Sequence, residues 1–200
     1  IHLEEKTLYG YAWNKVYRVQ SLRESGVVFE KITLIEDIKF NVSYFDSVCS
    51  MNVLNTTPYH YLKRIDGSLT NKFLPDYFTL NAERVFLVLE QYKNWGMCTE
   101  EVRRILANIY VRYLFSALQR NCDKRSDMNH AQRKEWLKQQ YKTPLCKELL
   151  SAVQASGTLF KCMAKAFCAG NIPLCLMIAR SIFAVKSAFP TVFSTLKQQH

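Results

Sequence analysis

Apolar positions change their spacing twice along the chain, and the changes divide it into segments. Aromatic and β-branched residues crowd TLYGYAWNKVYR (7–18), which predicts a strand or extended segment leading into a short helix around SLRES that Gly26 ends. VVFEKITLIED (27–37) reads as extended structure with Phe29 buried. At Glu36 the spacing becomes helical, with Ile38, Val42, Phe45 and Cys49 on one stripe. NVLNTTPYHYLKR (52–64) alternates as a strand does: Tyr59, Tyr61 and Lys63 share one side, His60, Leu62 and Arg64 the other. IDGSLTN follows as a turn or loop, since Asp-Gly-Ser supplies positive φ and local hydrogen bonds.

Beyond Pro75 the spacing predicts only helices, over 76–95, 100–121, 128–141, 144–156, 158–169 and 172–188. Their boundaries come from Gly96 with Thr99 as an N-cap, the polar NCDKRSDMN, Thr143-Pro144, and Asn171 with Pro173. The first is expected to pack through Val85, Phe86, Val88, Leu89 and Tyr92. The last is apolar nearly all round except at Arg180 and Lys186, and is expected to be buried in a bundle core. A homodimer interface through these C-terminal helices is the alternative. The expected fold class is α+β, mostly α: a small α/β part over residues 1–72, then an α-helical, bundle-like domain over 73–200.

Composition adds little until charge is divided along the chain. Hydrophobic residues at 48% and charged ones at 22% exclude disordered and fibrous classes. The formal net charge is +10, yet residues 1–72 hold nine Lys or Arg against eight Asp or Glu, whereas 73–200 hold eighteen against nine. The stretch 103–147 alone carries eleven basic residues against three acids, a field that favours an anionic membrane surface, phosphates or nucleic acid. No RNA- or DNA-binding module is recognisable, so nucleic acid ranks last. The seven cysteines are scattered without a C-x-x-C pair and the four histidines are isolated, which points to free thiols in a reducing compartment and to no metal cage. The longest uncharged run near the end, AFCAGNIPLCLMIA, falls short of the roughly 20 apolar residues that cross a bilayer. The expected location is cytoplasmic, peripheral at the inner face of the cell membrane. The sequence opens on Ile1 and runs at once into structured-looking sequence, so a fragment of a longer protein is expected.

Glu36 and Asp37 stand side by side where they repel each other. The first turn of a helix explains them without any function, because the helix dipole and free backbone N–H groups favour acids there by about 0.3–1 kcal/mol. Three blocks in order add a second explanation: AWNKVYR (12–18), EDIKFNVSYF (36–45) and YHYLKRIDGSL (59–69). Together they resemble the carboxyl-terminal half of the GT-A catalytic domain of family 2 glycosyltransferases. Members of that family commonly show W-x-K-x-Y-R-like, E-D-x-x-F-N-like and Y-x-Y-x-x-R-x-x-S-like blocks. The resemblance covers about a third of the chain, and residues 73–200 match no motif.

The resemblance implies inverting transfer of a sugar from a nucleotide-sugar donor to a hydroxyl of a saccharide or lipid-linked acceptor, in cell-surface polysaccharide synthesis. Asp37 is then the general base, and Glu36 binds acceptor hydroxyls or orients its neighbour. His60, Arg64 and Ser68 match the block over the donor diphosphate; Trp13, Asn14 and Lys15 match the one bordering the sugar pocket. A core indole at Trp13, a surface ring at His60 and a solvated strand end at Arg64 are the plain alternatives. The family's nucleotide-binding half and its D-x-D, which holds Mg or Mn, are not among these residues. A metal is therefore expected only for the longer parent, and these residues alone are expected to be inactive. The competing reading is a non-catalytic helical module that binds an anionic partner through 103–147.

Overall fold

The structure, a computed structural model, describes residues 1–32, 34–56, 59–60 and 73–189. These form α1 (His2–Glu5), α2 (Val19–Ser25), α3 (Glu36–Phe45), α4 (Tyr77–Asn94), α5 (Glu100–Arg120), α6 (His130–Lys142), α7 (Pro144–Leu149), α8 (Thr158–Cys168) and α9 (Ile172–Ala188). The mostly helical class stands, but the α/β part is corrected: no strand occurs among the described residues. Strand propensity reflects fit to a pleated surface with a paired neighbour, and here the aromatic stretch 8–18 is held by side chains. The Asn41 amide donates to the Tyr9 and Gly10 carbonyls at 3.3 and 3.0 Å, and Lys15 Nζ donates to those of Leu8 and Tyr11 at 2.8 and 2.6 Å. Residues 51–56 are irregular, and most of the second expected strand lies outside the described residues.

Contacts gather into two compact units, Ile1–Leu106 and Ala107–His200. The boundary expected between 72 and 73 adjoins the stretch 61–72, outside the described residues.

In the first unit α3 packs on α4. Ile38, Val42, Val85, Val88 and Leu89 are buried, each contributing about 1.5–3 kcal/mol through apolar area removed from water. Gly26 ends α2 as expected, with φ at 65°, a conformation that side-chain-bearing residues avoid. Three expectations fail. Phe29 is half exposed although it stacks face to face on Phe40 at 4.1 Å. Phe86 points outward, because the buried stripe of α4 runs through Asn81, Val85, Val88, Leu89 and Tyr92. Cys49 lies past the end of α3 and is exposed.

In the second unit α9 packs on α6 and on α8, around a core that includes Leu114, Phe115, Leu137, Leu149 and Phe167. Side-chain caps set the helix starts: Asn129 and Gln132 form a capping box on α6, Thr143 accepts from the Cys146 N–H, and Asn171 from the Leu174 N–H. In α5, which runs from the first unit into the second, Thr99 likewise accepts from Val102. The helix expected over 144–156 stops at Leu149, with a 3₁₀ turn to Ala152. The Asn108 amide exchanges two hydrogen bonds with the backbone of Gln154, at 2.9 and 3.1 Å, and so holds that segment out of helical register. In α9, Cys175, Leu176, Ile178 and Ala179 are buried, but Met177 and Val185 are exposed, so burial all round is also corrected.

All seven cysteines are free. Burial pushes the thiols of Cys146 and Cys175 up to about 11, whereas Cys49 and Cys162 are exposed. Iodoacetamide at pH 8 is expected to alkylate Cys49 and Cys162 in the native protein and to reach Cys146 and Cys175 only in denaturant, read by peptide mass spectrometry. Equal native-state rates at all four would contradict this packing. The same shift sets a pH trend: unfolded thiols ionise near their ordinary value of 9.0 while the two buried ones keep their protons, so stability falls as pH rises between about 9 and about 11.

Candidate functional site

The acid pair sits where the chain turns sharply into α3. Leu34 holds φ at 83°, a region that costs a residue with a side chain about 1–3 kcal/mol. Ile35, at the N-cap, offers no side-chain acceptor, and Glu36 and Asp37 fill the first turn. Asp37 Oδ2 accepts the Ala12 N–H at 3.3 Å, so the first block closes onto the second. Asn41, four residues after Asp37 and on the same face of α3, is fully buried: besides its two bonds to the Tyr9 and Gly10 carbonyls, it accepts the Tyr17 hydroxyl at 2.7 Å. Residues 9–17 are thus fastened to one face of α3, and Asp37 and Asn41 do the fastening.

Lys15, matched to the block that borders the sugar pocket, makes its hydrogen bonds within its own loop. Its ammonium donates to the Leu8 and Tyr11 carbonyls and to Asn14 Oδ1 at 2.9 Å, while Asn14 Nδ2 donates to the Leu8 carbonyl at 2.9 Å. Both residues tie the loop to itself. Burial lowers Lys15 to about 8, against the charges of Asp37 and Glu4, which raise it. Trp13 is stacked with Tyr11 and also with Tyr59 of the third block. Among the described residues, Glu36 Oε2 is buried with no hydrogen-bond partner, and a buried carboxylate oxygen left without a donor costs about 1–3 kcal/mol or more. His60 is exposed in irregular backbone; Arg64 and Ser68 lie outside the described residues.

Beneath this loop lies a group the sequence did not announce. Arg84 of α4 meets Glu4 in a two-pronged ion pair, Nε to Oε1 at 2.9 Å and Nη2 to Oε2 at 2.8 Å, with Glu4 almost wholly buried. The guanidinium fits there because residue 10 is glycine: a Cβ at Gly10 would lie 2.9 Å from Arg84 Nη2. A buried Gln91 on the same helix donates to the Val42 carbonyl at 2.7 Å and to Asp46 at 2.8 Å, and accepts the Tyr9 hydroxyl. Asn41 was not singled out from the sequence, although its place one turn after Asp37 is a local signal; Glu4 and Arg84 are eighty residues apart and carry none.

Among the described residues no three His, Cys, Asp or Glu side chains gather closely enough to hold a metal ion. No protein-family model, no curated protein and no solved structure matches the chain.

Proposed function

We propose that residues 1–72 form the acceptor side of an inverting glycosyltransferase of the family 2 kind, completed by a nucleotide-binding part outside this sequence. Asp37 takes the proton of an acceptor hydroxyl as that oxygen bonds to the anomeric carbon. The bond from that carbon to the nucleoside diphosphate breaks, and the leaving group departs with its electron pair. Glu36, beside it in the first turn of α3, binds acceptor hydroxyls or sets the orientation of its neighbour. One observation carries the reading: residues from all three blocks meet, through the Ala12 to Asp37 hydrogen bond, the Tyr17 to Asn41 hydrogen bond and the Trp13–Tyr59 ring contact. The test is a longer protein carrying these residues, given a panel of nucleotide sugars with and without saccharide acceptors. Acceptor-stimulated release of nucleoside diphosphate is expected, and none across the panel would overturn the proposal.

A second reading, docking on an anionic membrane surface, draws on a separate observation. Residues 1–106 carry thirteen basic and thirteen acidic side chains, whereas 107–200 carry fourteen against four, so the whole net charge of +10 belongs to the second unit. Lys134, Lys138 and Lys142 recur every four residues along α6, all exposed. Near anionic head groups each such residue contributes about 1 kcal/mol, screened by salt. The chain is expected to sediment with vesicles containing phosphatidylglycerol, to ignore pure phosphatidylcholine, and to be released by about 0.5 M salt. Equal binding to both vesicle types, or to neither, rejects this reading.

A further inference from the structure

Tyr11, Trp13 and Tyr59 form a stack of three rings in the first unit. Centroids of Tyr11 and Trp13 lie 4.9 Å apart at 29°, and those of Trp13 and Tyr59 lie 5.0 Å apart at 27°. The outer rings of the stack remain open: Tyr11 is 36% and Tyr59 52% exposed. Aromatic pairs stabilise each other by about 0.5–1.5 kcal/mol, so the stack is ordered before anything binds to it. Its backbone is fixed as well. Ala12, between Tyr11 and Trp13, donates to Asp37, and Lys15 holds the Tyr11 carbonyl at 2.6 Å.

We infer that the Tyr11–Trp13–Tyr59 stack is a carbohydrate platform that takes the acceptor saccharide on the exposed faces of its outer rings. A pyranose offers an apolar face of C–H groups, which suits a ring face, and a rim of hydroxyls, which suits the Asp37 carboxylate fastened to the same loop. Charge separates this ligand from others that stack on aromatic rings. With thirteen basic and thirteen acidic residues over 1–106, this unit provides no net field for a polyanion, which favours a neutral ligand over a nucleotide or nucleic acid. The inference rests on the transfer reading, since Asp37 gives the platform its purpose.

The experiment uses the 200-residue chain on an array of neutral hexose and N-acetylhexosamine oligosaccharides, with each hit titrated in solution. Binding is expected, and Tyr59→Ala and Trp13→Ala each weaken it at least tenfold while Trp13→Phe keeps most of it. Circular dichroism checks folding, and the half-exposed Tyr59 serves should Trp13→Ala unfold. No binding anywhere on the array overturns the platform, as does binding indifferent to these substitutions. Selective binding of uridine monophosphate or of a proline-rich peptide instead also overturns it. Oligosaccharide binding by a parent that transfers no sugar leaves the platform standing and removes the transferase. Transfer whose acceptor KM ignores Tyr59→Ala does the reverse.

Discussion

If Asp37 is the general base proposed above, Asp37→Asn in a longer protein that carries these residues is expected to lower turnover by about 10²–10⁴-fold while affinity for the nucleotide sugar changes by no more than about twofold. The magnitude is that of a positioned general base removed from a proton transfer. The selectivity follows from the hydrogen bonds. Asparagine keeps an oxygen where Asp37 accepts the Ala12 N–H, so the loop from Tyr9 to Tyr17, also held through Asn41, stays on α3. Only the capacity to take a proton is lost. Glu36→Gln separates the two acids: it keeps a neutral acceptor oxygen and is expected to raise the acceptor KM severalfold with a smaller loss of turnover. The measurements are steady-state kinetics and donor titration on the same preparations. Undiminished turnover in Asp37→Asn would falsify the base assignment, whatever the fate of Glu36.

How much of this was legible beforehand depended on the range of the interaction. Helices with their own punctuation were read to within a residue or two. Gly26 ends α2, Thr143-Pro144 starts α7, and α9 runs over the expected 172–188 because Asn171 and Pro173 act on their own neighbours. Errors came where a distant partner decides. Stretch 8–18 has the composition of a strand, but whether it pairs depends on a neighbour, and Asn41 took the carbonyls instead. The end of α7 was missed because Asn108, more than forty residues back in the chain, holds Gln154. At the candidate site the types of residue were readable and their company was not. The first block does close onto Asp37 through Ala12, yet Lys15 and Asn14 tie the loop to itself and Trp13 joins a ring stack.

Removing Arg84 is expected to have the largest effect on stability. Arg84→Met leaves the Glu4 carboxylate almost wholly buried without its two donors, and breaking a buried pair from one side costs about 3–5 kcal/mol. Replacing both partners separates that penalty from the worth of the pair. Glu4→Leu with Arg84→Met removes the stranded charge and is expected to recover most of the loss, since apolar replacements of buried ion pairs are often neutral or better. Urea denaturation of the single and double variants gives the coupling directly. The pair also supports the site from below, because the guanidinium lies where any side chain at Gly10 would go, next to the residues that Asn41 fastens. Gly10→Ala must therefore displace Arg84 and should lower stability without touching a charge, whereas in the Arg84→Met background that added methyl meets no guanidinium. A Gly10→Ala cost equal in both backgrounds, or an Arg84→Met loss below about 1 kcal/mol, would mean that the ion pair neither anchors this unit nor sets the height of the loop above it.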